Sequence, residues 1–438
     1  MNWKKYYEDN LVSAMEAVNE IKSGDAVVFA HAAGEPKTLV DAMVANAANY
    51  KDVTVSHMVT MGDGAYTRPE YKDNFTFNGW FLSGTTRKAV ETGDADFTPV
   101  YFHEVPDMIR RGYFKVDVAL VTVSKPDEHG YVSLGVSCDY TLQAIRSART
   151  VLAEVSDKCP YVYGQTLIHV SEIDKFVETS RPLYESAIAP IGETEEAIGK
   201  YCAQLIEDGS TLQLGIGAIP NAVLAQLKDK KNLGIHSEMI SDGVLELVEA
   251  GVINCKEKAL DPGKMVVTFL MGTQKLYDFV DKNPMIELKT VDYVNHPIVV
   301  AENSKLVCIN SALQVDFLGQ VVSDSIGTRQ FSGVGGQVDF MRGAAMAKDR
   351  KAKAIIAMPS VTVKKDGTMI SKIVPFIDEG AAVTATRHDA DYIITEYGIA
   401  HLKGKTLKER ARALVEIAHP KFREGLKRQF ETRFNCKY

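Results

Sequence analysis

The chain has 438 residues, of which 45% are hydrophobic and 24% are charged. This length favours two domains of about 200 residues over a single core. The formal net charge of -7 comes from interspersed acids and bases, which leaves no basic stripe for nucleic acid, and no apolar run reaches the 18 residues of a membrane-spanning helix.

The N-terminal segment MNWKKYYEDNLVSAMEAV is polar and lacks the apolar core of a secretory signal. The cysteines are widely spaced and form neither a C-x-x-C pair nor a zinc pattern. They are Cys138, Cys159, Cys202, Cys255, Cys308 and Cys436. We therefore expect a cytoplasmic protein with reduced thiols, without a bound metal and without a nucleic-acid or membrane partner.

Strand-like apolar runs alternate with helical patterns along the chain, which is typical of α/β units around a mainly parallel sheet. In the first half, DAVVFA, DVTVSH, DVALVTV and VLAEV alternate with the helical patterns TLVDAMVANAANY and YTLQAIRSART. In the second half, TLQLGIG, LGIHSE, KAIIAMPS and DYIITEYG are strand-like and NAVLAQLKDK is helical. An irregular segment at 185–195 separates the halves, so the sequence predicts domains at 1–190 and 191–438.

The two halves resemble each other in detail. Residues 23–43 align with 207–227, and residues 53–64 align with 232–243. The second alignment places Val59 opposite Glu238 and His57 opposite His236. We therefore predict two related open α/β domains from a duplication. Because the acid is present in only one copy, the fold does not require it, and this singles out Glu238.

The segment QLGIGAIP (213–220) predicts a Gly-rich loop between a strand and a helix, where backbone N–H groups can bind an anion. Gly215 and Gly217 begin a dinucleotide fingerprint, and Glu238 follows at the spacing of a ribose-binding acid. The third Gly position is Pro220, which obstructs a close helix-to-strand approach. The nicotinamide interpretation is therefore disfavoured, and a plain tight turn stays open.

Two further segments could carry chemistry. In GIHSEMISDG (234–243) a predicted strand brings Glu238 to its carboxyl end, the ligand edge of an open α/β sheet, although a helix cap is the ordinary role of such an acid. In FSGVGGQVDF (331–340) three glycines in four positions allow close ligand approach or inward-facing amides, although a structural turn fits as well. A P-loop and a G-x-S-x-G elbow are absent from the sequence, which disfavours ATP-driven acyl activation and a serine hydrolase.

Together, QLGIGAIPNAVL, GIHSEMISDGV, CINSALQVDFLGQV (308–321), FSGVGGQVDF and TEYG (395–398) resemble the acetyl-CoA hydrolase/transferase family of CoA transferases. The resemblance spans essentially the whole chain. It implies two related α/β domains with the active site in the cleft between them, in a homodimer or homotetramer. It also implies that coenzyme A and acyl-CoA are substrates, that no cofactor is permanently bound, and that the partners are short-chain carboxylates.

The resemblance assigns roles to individual residues. Glu238, in the S-E-M motif, matches the family's nucleophile. The amides of Gly335 and Gly336 match oxyanion donors, and Gln213 and Asn310 match polar residues of the reaction centre. The expected CoA contacts are Gly215, Ile216, Gly217, Ala218, Ile219, Leu313 and Gly336. Candidate walls of the acyl pocket, taken from the internal repeat, are His31, Glu35, His57 and Met58.

The implied reaction moves CoA between acids such as 4-hydroxybutyrate, butyrate and acetate, through a glutamyl-CoA thioester on Glu238 with ping-pong kinetics. One thioester replaces another, so neither ATP nor a metal is needed. A short-chain acyl-CoA hydrolase of the same family is the alternative. The two differ in whether water is excluded, and this cannot be read from the sequence.

Overall fold

The computed structural model of the chain describes residues 2–187 and 189–438. These residues form two compact units. Unit 1 contains the residues up to Ala187 together with Met265–Val294, and unit 2 contains the residues from 189 to Lys264 together with Asn295–Tyr438. The predicted boundary segment includes Ile188, which lies outside the described residues.

Residues 265–294 fold with unit 1, whereas the predicted ranges place them in the second domain. Backbone pairing accounts for the difference. Ser137 forms an antiparallel bridge with Phe269, and Gly164 forms a parallel bridge with Leu288. The local sequence pattern does not show that residues 265–294 pair with unit 1. The predicted domain ranges 1–190 and 191–438 therefore remain a prediction.

The secondary structure follows the α/β pattern. The strands, numbered in chain order, are β1 (Ala26–Phe29), β2 (Val53–His57), β3 (Phe75–Gly79), β4 (Asp96–Phe97), β5 (Val118–Val123), β6 (Tyr131–Ser133), β7 (Thr150–Ser156), β8 (Leu167–His169), β9 (Lys175–Thr179), β10 (Thr211–Leu214), β11 (Gly234–Ile235), β12 (Met239–Ile240), β13 (Met265–Val267), β14 (Phe269–Leu270), β15 (Ile286–Leu288), β16 (Leu306–Asn310), β17 (Gln314–Asp316), β18 (Val321–Val322), β19 (Ser325–Ile326), β20 (Arg329–Gln330), β21 (Lys353–Ala357), β22 (Val361–Val363), β23 (Met369–Ser371), β24 (Ile373–Val374), β25 (Tyr392–Thr395) and β26 (Gly398–His401). The α-helices are α1 (Trp3–Asp9), α2 (Ala14–Val18), α3 (Lys37–Ala45), α4 (Arg87–Thr92), α5 (Val105–Arg110), α6 (Thr141–Ser147), α7 (Glu193–Gln204), α8 (Ala218–Ala225), α9 (Leu245–Glu249), α10 (Gln274–Val280), α11 (Val291–Val294), α12 (Pro297–Val300), α13 (Gln337–Ala345), α14 (Leu407–Glu416) and α15 (Pro420–Phe434).

The main sheet of unit 1 is parallel and has the strand order β4-β3-β2-β1-β5-β7-β9. Its central strands β5 and β7 are buried along their whole length, as expected for parallel strands covered on both faces. One core cluster joins Val27 and Phe29 of β1 and Val55 of β2 to Leu39 and Met43 of α3. Apolar burial of this kind is the main stabilising term of such a layer.

The main sheet of unit 2 has the order β11-β10-β16-β21-β25-β26. Its pairs are parallel except for β25 with β26, which form an antiparallel hairpin. The TEYG motif lies at the turn of this hairpin, because Thr395 pairs with Gly398. The predicted α/β fold with mainly parallel sheets is confirmed.

The two sheets share a topological core. The order β2-β1-β5-β7-β9 in unit 1 corresponds to β11-β10-β16-β21-β25 in unit 2. The register agrees as well, because Val27 pairs with Val55 in unit 1 and Thr211 pairs with Gly234 in unit 2. These are the positions that the internal sequence repeat aligns. In the part of the chain that the structure covers, no helix is both long enough and apolar enough to cross a membrane.

Candidate active site

Glu238 lies beyond the carboxyl end of β11, in the short connection to β12, and its side chain is half-buried. The preceding residue fixes this connection. The Ser237 hydroxyl accepts a hydrogen bond from the Leu214 N–H at 3.2 Å and donates one to the Leu214 carbonyl at 3.1 Å. A side chain thus replaces the main-chain pairing at the end of β10, which explains why the strand expected over 233–238 ends at Ile235.

Asn295 contacts the Glu238 carboxylate directly. Its Nδ2 donates a hydrogen bond to Glu238 Oε2 at 2.7 Å, and the Asn295 side chain is fully buried. The neighbouring His296 caps α12 by accepting from the Ile298 N–H. Sequence reasoning missed Asn295, because Asn-His-Pro before a short helix has the composition of an ordinary cap or turn. Its distance from Glu238 in the sequence gave no signal of the contact.

Gly336 lies against the same pair and caps α13 at its N-terminus. A Cβ at this position would overlap Oε2 of Glu238 and Nδ2 of Asn295. Glycine therefore allows close approach of the backbone to the carboxylate, and a larger residue would force one of the two side chains to shift. Gly335 has φ +54°, a left-handed conformation that glycine adopts at little cost. The FSGVGG segment thus combines a turn at Gly335 with a close approach to Glu238 at Gly336.

Gln213 and Asn310 form a second polar pair in unit 2. They lie near the carboxyl ends of the adjacent parallel strands β10 and β16. Each amide donates to the other, with Nε2 of Gln213 at 3.4 Å from Oδ1 of Asn310, and Nδ2 of Asn310 at 3.1 Å from Oε1 of Gln213. The structure therefore brings these two predicted residues together at the sheet edge where β11 delivers Glu238.

The loop expected to bind CoA is accessible. Gly215 and Gly217 have open space where a side chain would lie, and Gly217 has φ +110°. Ile216 is 48% exposed, whereas Ala218 and Ile219 form the first turn of α8. That helix ends at Ala225, earlier than the helical pattern predicts. Leu313 lines a pocket of about 180 Å³ elsewhere in unit 2.

Two of the predicted pocket residues, His31 and Glu35, are buried in unit 1. His31 Nδ1 lies 3.1 Å from Oδ2 of Asp139, and its Nε2 is buried without a hydrogen-bond partner among the described residues. The Oε2 atom of Glu35 accepts hydrogen bonds from the Thr60 hydroxyl at 2.6 Å and from the N–H groups of Met61 and Gly62 at 3.0 Å. Burial raises the pKa of Glu35, and these donors oppose the shift.

His57 and Met58 lie in the core of unit 1. Nδ1 of His57 donates to the Met58 carbonyl at 2.9 Å, and Nε2 accepts from the Tyr66 hydroxyl. Burial lowers the pKa of His57 to about 4, so the ring is neutral at pH 7. Met58 is 2% exposed. These contacts satisfy both ring nitrogens within unit 1, and a role in an acyl pocket stays a prediction.

Within the described ranges, no group of three or more His, Cys, Asp or Glu side chains is arranged to hold a metal ion. The candidate site consists of Glu238, Asn295, Gly336 and the Gln213–Asn310 pair. It offers a half-buried carboxylate, a buried amide donor and a glycine backbone in contact with both. Such a set can hold and orient an acid for acyl chemistry.

Comparison with known proteins adds independent observations. Residues 1–183 match the family model described as the acetyl-CoA hydrolase/transferase N-terminal domain, and residues 272–430 match the corresponding C-terminal domain. The chain is 57% identical to the 4-hydroxybutyrate coenzyme A transferase of Clostridium kluyveri, over 99% of this chain and 100% of the relative. It is 44% identical to a succinyl-CoA:acetate/propanoyl-CoA:succinate CoA transferase of Fasciola hepatica, over 94% and 86% of the two chains.

A solved structure shows the same fold. The crystal structure of 4-hydroxybutyrate CoA-transferase from Porphyromonas gingivalis superposes with a TM-score of 0.85 at 41% identity. The match covers 99% of this chain and 100% of that one. The similarity in sequence and in fold therefore extends over both units.

Proposed function

Because the chain belongs to the acetyl-CoA hydrolase/transferase family, we propose that it transfers coenzyme A between short-chain carboxylic acids, with Glu238 carrying the CoA group. The observation that carries the proposal is the contact of the Glu238 carboxylate with the Asn295 amide against the Gly336 backbone. The Glu238 side chain is also only half-buried, so a substrate can reach it.

The chemistry follows from the nature of the nucleophile. Glu238 attacks the thioester carbonyl of acyl-CoA, which gives a mixed anhydride and the CoA thiolate. The thiolate then attacks the glutamyl carbonyl carbon, so that a thioester forms on the enzyme and the first acid leaves as its carboxylate. A second carboxylate reverses these steps and takes the CoA. Each half-reaction replaces one thioester by another, so the transfer needs no external energy source.

The surrounding groups compensate for the weak nucleophilicity of a carboxylate. The Asn295 donor holds one carboxylate oxygen and so orients the group for attack on the thioester. The amides of Gly335 and Gly336 are proposed to stabilise the oxyanion of each tetrahedral intermediate, for which a single donor is typically worth about 3–4 kcal/mol. Binding of the remote parts of CoA at residues 215–219 supplies energy for positioning the thioester.

We propose 4-hydroxybutyrate as the characteristic acid, with butyrate and acetate as further acyl partners. The support is the 57% identical relative named for 4-hydroxybutyrate. The 44% identical relative is named for succinate, acetate and propanoate, so the acid varies between relatives of this fold. A reducing compartment such as the cytoplasm is consistent with the six cysteines, which are free thiols in this structure.

A trapping experiment tests the covalent step. Enzyme incubated with acyl-CoA alone and then treated with borohydride should be inactivated, because borohydride reduces the glutamyl thioester to an alcohol. The mass change should map to the peptide that contains GIHSEMISDG. Full activity after this treatment, or a mass change on another peptide only, would remove Glu238 from the covalent role.

Acceptor dependence separates the transferase from the hydrolase, which the shared family description includes. A transferase releases no more than one equivalent of free thiol or acid from acyl-CoA until a carboxylate such as acetate is supplied. Continuous thiol release at the full rate in acceptor-free buffer would favour the hydrolase.

A further inference from the structure

Unit 2 contains a pocket of about 180 Å³ whose lining does not include Glu238, Asn295 or Gly336. Its lining includes Leu313 and Gln314 from one segment, Ile370 and Lys372 from the β23–β24 region, and Asp378. Lys372 is the cationic side chain of this lining. The lysine thus faces a small space beside Leu313, a residue that the family resemblance predicts to contact CoA.

The position of Lys372 is fixed from several sides. Its Nζ donates to the Ala312 carbonyl at 2.8 Å, which holds the amine next to the residue preceding Leu313. Its backbone N–H donates to the Ser360 carbonyl at 2.9 Å, and its own carbonyl accepts from the Val315 N–H at 2.8 Å. A long side chain held in this way loses much of the freedom that an exposed lysine keeps.

We propose that Lys372 is a site of self-acylation, at which its amine takes the acyl group from acyl-CoA that enters this pocket. The nitrogen attacks the thioester carbonyl carbon, an amide bond forms and the carbon–sulfur bond breaks. CoA leaves as the thiol after taking the proton that the amine releases. The inference rests on the proposed function, because acyl-CoA is the substrate named there.

The charge state of the amine supports this reactivity. Burial lowers the pKa of Lys372 to about 8, against a weaker opposing attraction from Glu396. The acids facing it are Glu396, whose oxygens accept from the Ser360 N–H and hydroxyl, and Asp378 of the pocket lining. Near pH 8 about half of such amines are neutral, compared with about 0.4% for a lysine of ordinary pKa near 10.4.

This population difference of roughly 100-fold is partly offset, because nucleophilicity falls with basicity along a Brønsted slope of about 0.4–0.5, as measured for thiols. About a tenfold advantage remains. Acylation would remove the charge of Lys372 and place an acyl chain in a pocket of about 180 Å³ beside Leu313. We therefore expect the acylated enzyme to have a raised KM for acyl-CoA, so that a high acyl-CoA concentration limits its own use.

The test uses the full-length Glu238→Ala variant, in which acyl groups cannot be diverted to the nucleophile. It is incubated with butyryl-CoA at pH 8, treated with hydroxylamine to cleave thioesters and anhydrides, and digested for mass spectrometry. Lys364 and Lys365 are exposed on the neighbouring hairpin and serve as internal controls. We expect butyrylation of Lys372 to be at least about tenfold faster than at either control, and its rate to rise between pH 7 and 9.

Equal or slower labelling of Lys372 relative to Lys364 and Lys365 would overturn the proposal. The Lys372→Arg variant keeps the positive charge and lacks the reactive amine, so its KM should stay constant during preincubation with acyl-CoA while that of the native enzyme rises. Acceptor-dependent transfer by the native enzyme is measured separately. If the native enzyme transfers CoA but Lys372 is not acylated, only the self-acylation is contradicted. If Lys372 is acylated but the native enzyme does not transfer CoA, only the proposed function is contradicted.

Discussion

Each of the two main sheets has a carboxylate near the carboxyl ends of its strands, but the two carboxylates belong to loops that do not correspond. In unit 1, Glu35 follows β1, and its carboxylate accepts hydrogen bonds from Thr60, Met61 and Gly62, which follow β2. In unit 2, the acid follows β11, the strand that corresponds to β2. This acid is Glu238, and Asn295 donates to it. The aligned residue of unit 1 is Val59.

The difference gives a criterion that separates the structural acid Glu35 from the proposed nucleophile Glu238. Glu35 is 5% exposed and its three donors tie two neighbouring loops of one sheet together. Glu238 is half-buried, and the backbone beside it is kept small by Gly336. Burial with many donors thus marks the acid that holds loops in place. A glycine lies against each carboxylate, Gly62 beside Glu35 and Gly336 beside Glu238, so partial exposure is what marks the acid that has room for a substrate.

Removing Glu238, the proposed nucleophile, gives the largest expected effect. Glu238→Ala should lower kcat by at least about four orders of magnitude, because the proposed covalent intermediate cannot form without this carboxylate. Binding of CoA should change little. Glu246→Ala, at an exposed position that pairs with Lys228, is the matched control and should retain native kcat. Steady-state transfer assays decide the point, and a Glu238→Ala enzyme with even a tenth of native kcat would contradict the assignment.

Adding one methyl group beside the acid should have the next largest effect. In Gly336→Ala the new Cβ would overlap the Glu238 carboxylate and the Asn295 amide, so one of them must move. We expect kcat to fall by about 100-fold or more, since small displacements of reacting groups have effects of this size. In the control Gly425→Ala the new Cβ meets open space within α15. Native kcat in Gly336→Ala would show that this approach is not used in catalysis.

Removing the amide donor should have a smaller effect. Asn295→Ala deletes the 2.7 Å hydrogen bond to Glu238 and should lower kcat by about 10- to 100-fold, the range expected for one charge-assisted hydrogen bond. Asn295→Asp keeps the shape but places a second carboxylate beside the first, so its loss at pH 7 should exceed that of the alanine variant. If the aspartate variant were the more active of the two, Asn295 would have no orienting role.

The sequence predicted the family, the enzyme class and the α/β fold, and these predictions are confirmed. They rest on local signals, because each strand or helix periodicity and each motif is contained in a short stretch of sequence. The repeat also predicted a shared topology, which the aligned pairs Val27–Val55 and Thr211–Gly234 display. The roles of Glu238, Gly335, Gln213 and the CoA loop remain predictions.

Features that depend on long-range contacts were not predictable in this way. Asn295 lies 57 residues from Glu238, and only the folded chain brings the two together. The strand expected over 233–238 ends early because a serine hydroxyl, rather than a backbone group, pairs with Leu214. The return of residues 265–294 to unit 1 depends on bridges to residues 137 and 164. No periodicity or motif encodes such partners.

The smallest expected effect concerns the structural acid of unit 1. Burial raises the pKa of Glu35 above its unfolded value, so its contribution to stability is fully present below that value and is lost as pH rises through the folded pKa. Glu35→Gln cannot ionise and keeps a carbonyl oxygen for the three donors. We expect it to change the free energy of unfolding by less than about 1 kcal/mol at low pH, where Glu35 is protonated, and to gain stability relative to the native protein as pH rises through the raised pKa of Glu35. In Glu35→Ala three buried donors lose their acceptor, at a cost of about 2–4 kcal/mol at every pH.

Urea unfolding followed by tryptophan fluorescence measures these stability differences directly, because both tryptophans, Trp3 and Trp80, lie in unit 1. A Gln variant as unstable as the Ala variant, or one whose relative stability falls with pH, would show that the carboxylate of Glu35 is needed in its charged form and would weaken the contrast with Glu238.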